Sequence, residues 1–76
     1  QREVDFVVLR EGEPWFLVGA KQGSSSVSPA LAYFQKQLAC PHAFQVAFDQ
    51  PFIKVDCFTY REPVVVPART LFSQLP

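Results

Sequence analysis

The residues EVDFVVL at positions 3–9 and WFLVGAK at positions 15–21 decide the fold that this sequence predicts. Both runs are rich in β-branched and aromatic residues, which favour strands. The segment REGEP between them, residues 10–14, contains the glycine and proline that mark a turn. Two strands joined by so short a turn predict an antiparallel β-hairpin, with a three-residue loop from Arg10 to Gly12 that pairs Leu9 with Glu13.

Side chains on the two predicted strands alternate between the faces of the hairpin. With the three-residue loop, Asp5 lies opposite Leu17 and Glu3 opposite Gly19. A shift by two residues sets Asp5 opposite Gly19 and Glu3 opposite Lys21. In both registers Glu3, Asp5, Gly19 and Lys21 share one face, and only a loop of even length separates them.

The sequence after the hairpin predicts a helix that crosses to a third strand. Ser28 followed by Pro29 is typical of a helix start, and the helix is expected to run from Pro29 to Ala39. Pro41 ends it. Residues 43–48 (AFQVAF) predict a strand parallel to the second one, with a right-handed connection. Three apolar residues form the stripe of the helix that is expected to pack on the sheet: Leu31, Phe34 and Leu38.

The last third of the chain predicts less regular structure. Residues 53–58 fit either a short edge strand or an irregular loop. The triplet from Val64 to Val66 predicts a strand, and Pro67 then opens a short helix with an apolar stripe. The stripe consists of Leu71, Phe72 and Leu75. The expected fold class is α/β, with an antiparallel hairpin followed by a helix, a parallel strand and a short C-terminal helix.

The composition indicates one small domain that needs a core. Of the 76 residues, 49% are apolar and eight are Phe, which excludes a disordered chain. Because Gln1 is not a Met and a predicted strand begins at Glu3, we expect residues 1–76 to be a single, truncated domain. A truncated sheet exposes apolar surface, so a homo-oligomer is expected.

The charge balance limits the partners of the chain. Seven basic and seven acidic residues give no broad positive field, so any contact with DNA has to be local. Because no apolar run approaches the ~20 residues needed to span a bilayer, no membrane partner is expected. Without a secretion signal the expected compartment is the cytoplasm, with Cys40 and Cys57 as buried, reduced thiols.

One arrangement of charged residues indicates chemistry. An acid on one strand, followed after a hairpin by an acid-x-Lys triplet on the next, is the centre of a metal-dependent phosphodiesterase. The carboxylates hold Mg²⁺ or Mn²⁺, and the lysine orients the attacking water or stabilises charge on the phosphate. Asp5 supplies the first acid and Lys21 the lysine, but Gly19 occupies the place of the second acid.

The segments EVDFVV, PWFLVGAK, SPALAYFQKQL, PHAFQV and VVVPARTLFSQL together cover nearly the whole chain. They resemble the C-terminal "domain of unknown function 4143" of AAA+-type ATPases, which is regarded as similar to the restriction-endonuclease-like PD-(D/E)xK nucleases. The resemblance implies a core fragment of that fold, with an ATPase region upstream in the full-length protein. Asp5 matches the strand acid of the family and Lys21 its lysine, whereas Gly19 departs from the usual Glu. The chain contains no Walker A sequence, so we expect it neither to bind nor to hydrolyse ATP.

Plainer interpretations stand beside the catalytic one. Asp5 and Lys21 also fit a solvated or cross-strand ion pair, worth under about 1 kcal/mol. Glu3 shares the face of Asp5 and is a candidate replacement for the missing ligand, so Asp5 and Glu3 are the candidate metal ligands. A zinc site at Cys40, His42 and Cys57 lacks the usual spacing and is not expected.

Four aromatic residues bear on nucleic-acid binding: Trp15, Phe16, Tyr33 and Phe34. They are not interleaved with basic residues, as a channel for single-stranded nucleic acid requires, so core packing is the interpretation for all four. The leading hypothesis is a nuclease-like accessory domain of an ATPase, catalytically impaired, that binds DNA or protein. The alternatives are an active Mg²⁺- or Mn²⁺-dependent phosphodiesterase, in which Glu3 or an upstream acid completes the site, and a purely structural interaction module.

Overall fold

The computed structural model describes residues 6–20 and 26–75. They form a four-stranded mixed sheet with helices, which confirms the predicted α/β class. The strands are β1 (Phe6–Arg10), β2 (Glu13–Ala20), β3 (His42–Ala47) and β4 (Val64–Pro67), and the helices are α1 (Pro29–Leu38) and α2 (Ala68–Phe72). A 3₁₀ turn spans Cys57–Thr59. The strand order is β1-β2-β3-β4; β1 runs antiparallel to β2, and the other pairs are parallel.

The hairpin between β1 and β2 is built differently from the predicted one. Arg10 pairs with Glu13 and Leu9 with Pro14, so the loop has two residues and not three. Both loop residues, Glu11 and Gly12, have positive φ angles, as a type I′ turn requires.

A bulge restores the register of this hairpin. Val8 pairs with Phe16 and Leu9 with Pro14, which leaves Trp15 as an extra residue in β2. With a two-residue loop and no bulge, odd-numbered residues of β1 would share a face with even-numbered residues of β2. The extra residue shifts the pairing by one, so Val7 lies opposite Leu17 and odd-numbered residues of both strands share a face, as predicted.

The sheet is covered on both faces. On one face, Leu31 of α1 packs with Leu17, Cys40 and Ala43. On the other face, α2 and the 3₁₀ turn cover a larger apolar cluster, which contains Phe16, Val18, Phe44, Val46, Cys57, Val66, Ala68 and Leu71. Consequently β3, buried along its whole length, lies at the centre of the fold.

The position of α1 agrees with the prediction, but the set of its side chains that pack on the sheet does not. Its N-cap is Ser28, whose side chain accepts a hydrogen bond from the Ala30 N–H, and Ala39 ends it in a left-handed conformation. Of the predicted stripe only Leu31 is buried, because Phe34 and Leu38 remain 39% and 42% exposed. The helix therefore contacts the sheet along a narrower line than its sequence indicates.

The segment between β3 and β4 is irregular, which decides between the two predicted alternatives. Two side chains, Thr70 of α2 and Gln74 just after it, satisfy part of its backbone. The Thr70 hydroxyl accepts from the Ile53 N–H and donates to the Ile53 carbonyl. The Gln74 amide bonds the Cys57 N–H and the Val55 carbonyl in the same way. These side-chain hydrogen bonds take the place of the backbone hydrogen bonds that a neighbouring strand would make.

Candidate functional site

Gly19 is the one predicted site residue that lies within the described residues. It is buried in β2, opposite Gln45 of β3. Strand alternation places it on the α1 side of the sheet, with Leu17. Glu3, Asp5 and Lys21 lie outside residues 6–20 and 26–75, so their role in a site stays a prediction.

The register of the hairpin bears on that prediction. Val7 lies opposite Leu17 and Phe6 opposite Val18. Of the two registers considered for the sequence, this is the one shifted by two residues. Asp5 itself lies outside the described residues, so its pairing stays a prediction.

Gln45 fills the position beside Gly19. Its side chain is 2% exposed. The Oε1 atom accepts a hydrogen bond from the Ser28 N–H at 2.8 Å, and Nε2 donates to the Ser26 carbonyl at 2.7 Å. Both ends of the amide are therefore engaged in fixing the segment that leads into α1.

The described side chains around Gly19 do not fit a magnesium or manganese centre. A glycine supplies no side-chain oxygen, and the Gln45 oxygen is already bonded to a backbone N–H. Within residues 6–20 and 26–75, no group of three or more His, Cys, Asp and Glu side chains is placed to hold a metal ion.

The sheet separates Cys40 from Cys57, whereas His42 lies on the face of Cys57. Cys40 packs on the α1 side and Cys57 in the cluster under α2, and both thiols are free. Burial raises the pKa of each thiol, and the nearby Asp56 carboxylate raises that of Cys57 further. The Nδ1–H of His42 can donate to the Tyr60 carbonyl, 2.8 Å away.

An aromatic cluster fills the face of the sheet opposite α1. Trp15 stacks on Phe58 with ring centroids 5.0 Å apart, and Phe16 and Phe44 meet Phe58 edge to face. The ring of His42 lies against Phe58 as well. Trp15 and Phe16 thus pack in the core as predicted.

Two other aromatic residues were wrongly assigned to the core. Tyr33 is 59% exposed and Phe34 39% exposed, and the two rings contact each other edge to face on α1. They lie beyond the narrow line along which α1 contacts the sheet. A helix that packs on the sheet mainly through Leu31 leaves part of its apolar surface exposed.

Two structural roles were missed by sequence reasoning. Gln45 interrupts the apolar run AFQVAF, and a polar residue inside a buried strand is the signal that indicates a bonded amide. Arg10 places its guanidinium 4.8 Å from the centre of the Trp15 ring. No sequence signal indicated that contact, because it depends on the bulge at Trp15.

Comparisons with known protein families, with curated proteins and with solved structures found no match to this chain. Its class is therefore defined by its own architecture, a small α/β domain with a mixed four-stranded sheet. In the part of the chain that the structure describes, no helix has the length and apolar character to cross a membrane.

Proposed function

We propose that this chain is a nuclease-like accessory domain of an ATPase, with a restriction-endonuclease-like core whose catalytic centre has been lost. Its role is to bind DNA or protein in the cytoplasm. The order of hairpin, helix, parallel strand and C-terminal helix predicted from the sequence is present, and it is compatible with such a core.

The observation that carries the proposal is Gly19. It lies near the C-terminal end of β2, where the acid of an acid-x-Lys triplet belongs, and two residues before Lys21 in the sequence. Without the carboxylate, a divalent cation loses one of its oxygen ligands. The scaffold is then free to serve in recognition instead of hydrolysis.

A plasmid cleavage assay tests whether the chain lacks nuclease activity. The unchanged chain is expected to leave plasmid DNA intact in the presence of Mg²⁺ or Mn²⁺, because the metal centre is incomplete. Cleavage that is abolished by Glu3→Gln or Asp5→Asn would contradict the proposal. That outcome would favour the active phosphodiesterase in which Glu3 completes the site.

Binding to DNA is tested by its dependence on salt. If DNA is the partner, the logarithm of the binding constant falls linearly with the logarithm of salt concentration, because phosphate contacts release counterions. A chain that binds no DNA at low salt is instead a protein-interaction module. The exposed apolar side chains of β1 and α1 favour that second role.

A further inference from the structure

The strand β1 lies at the edge of the sheet with apolar side chains on both of its faces. Among the described residues it pairs with β2 on one side and with no strand on the other. Three of its four apolar residues are exposed: Phe6 by 48%, Val7 by 39% and Leu9 by 57%. An edge with unpaired backbone groups and exposed apolar side chains is a template for another strand.

We propose that β1 pairs antiparallel with β1 of a second copy of this chain and joins two four-stranded sheets into one of eight strands. The two-fold axis passes through Val8, so that Val7 lies opposite the partner's Leu9 and Phe6 opposite the partner's Arg10. Residues directly opposed in an antiparallel pair point to the same face. Apolar side chains therefore meet apolar ones on the face of Val7.

A groove on the other face fits the partner's Phe6. It has a volume of about 540 Å³ and is lined by Val8, Leu9, Arg10, Trp15, Phe16 and Leu75. In the proposed register the partner's Phe6 lies beside Arg10, whose guanidinium already stacks on Trp15. The incoming ring adds an apolar surface next to that cation and covers the half-buried indole.

The charges of β1 permit this pairing. Arg10 is the one charged residue of the strand FVVLR. In the two-fold arrangement the two Arg10 positions are offset by four residues along the strands, roughly 13 Å at the usual strand rise. This separation exceeds the Debye length of about 8 Å at physiological ionic strength, so the like charges are screened.

Sedimentation of the unchanged chain is the first test. Between about 1 and 200 µM, a micromolar dimer shifts the average mass from one chain toward two. Hydrogen exchange measured over the same range is expected to slow at alternate amides of β1, because only every second N–H faces the partner. A chain that remains monomeric at the highest concentration overturns the proposal.

Charge pairs test the register. Val7→Lys/Leu9→Lys and Val7→Glu/Leu9→Glu each place like charges directly opposite one another, so each variant alone is expected to be monomeric. An equimolar mixture places opposite charges across the dyad and is expected to associate about tenfold more tightly than either variant alone. If either variant dimerises like the unchanged chain, or if mixing has no effect, the proposed interface is wrong.

Phe48→Lys is the matched control. Phe48 is 64% exposed but follows β3, outside the proposed interface. Its substitution is expected to leave the dimer unchanged, and a loss of association in this variant would also overturn the proposal. The proposed dimer forms whether or not the domain is nuclease-like.

Discussion

Gln45 fixes the segment in front of α1 to the centre of the sheet. Its buried amide bonds the Ser28 N–H and the Ser26 carbonyl. Ser28 in turn caps α1 through its hydroxyl. One side chain of β3 therefore determines where the helix starts above Leu17 and Ala43.

Replacing this amide by an apolar group of similar size leaves the buried Ser28 N–H without its acceptor. We expect Gln45→Leu to lower the free energy of unfolding by about 1–3 kcal/mol, measured by urea denaturation. Gln37→Leu, on the exposed side of α1, is the control and is expected to change it by less than about 0.5 kcal/mol. Equal effects of the two changes would contradict the role given to Gln45.

The buried thiols make stability depend on alkaline pH. Folding raises the pKa of Cys40 and Cys57 above the ordinary value of 9.0. The unfolded chain therefore releases these protons first, so stability is fully present below pH 9.0 and is lost as the pH rises through the folded-state values. Urea denaturation between pH 7 and pH 10.5 is expected to show a steeper loss in the unchanged chain than in Cys40→Ala/Cys57→Ala. Parallel curves would count against the effect.

At the scale of elements, the β1–β2 turn stores conformational strain. Glu11 has a φ of 54°, a left-handed conformation that Asn adopts more readily than Glu. We expect Glu11→Asn to stabilise the fold by about 0.5–1 kcal/mol in urea denaturation. Glu13→Asn, in the neighbouring strand, is expected to give no such gain, and a loss of stability in Glu11→Asn would contradict the assigned turn.

The helix α2 holds the irregular segment through side chains. Thr70→Val removes the acceptor of the Ile53 N–H, and a loss of about 1–3 kcal/mol is expected. Thr70→Ser keeps the hydroxyl and loses one buried methyl group, worth about 0.8 kcal/mol. Hydrogen exchange at the Ile53 amide should accelerate in the first variant alone, and acceleration in both would refute the role of the hydroxyl.

Strands and helix starts were predictable from the sequence, whereas their packing was not. The β-branched runs predicted β1, β2 and β4, and Ser28 with Pro29 predicted the start of α1, because these signals are local. The loop length of the hairpin was wrong, since the bulge at Trp15 compensates a two-residue turn and leaves no separate trace in the sequence. The exposure of Phe34 was missed because it depends on how much of the sheet α1 reaches.

For the molecule as a whole, two cores on opposite faces share the same central strands. Because β2 and β3 contribute to both cores, we expect them to unfold together. Fluorescence of Trp15, the single Trp, reports the aromatic core, and far-ultraviolet circular dichroism reports the helices. The two transitions are expected to coincide in urea, and separate midpoints would contradict the shared core.

Of the candidate site, the structure describes Gly19 alone, which lies buried in β2. The nuclease-like centre that lacks one acid stays a prediction from the spacing of Asp5, Gly19 and Lys21. Sequence patterns do not reveal that Gln45 lies beside this glycine, because the contact arises from the pairing of β2 with β3. The missing carboxylate is therefore the point on which the functional proposal depends.

Calorimetric titration with Mn²⁺ tests that point most directly, because it requires no substrate. The unchanged chain is compared with Gly19→Glu, which restores the acid, and with Gly19→Gln, which has the same size but no charge. Circular dichroism confirms that each is folded. We expect Gly19→Glu alone to bind Mn²⁺. Equal binding by the unchanged chain, or no binding by a folded Gly19→Glu variant, would contradict the lost nuclease-like centre.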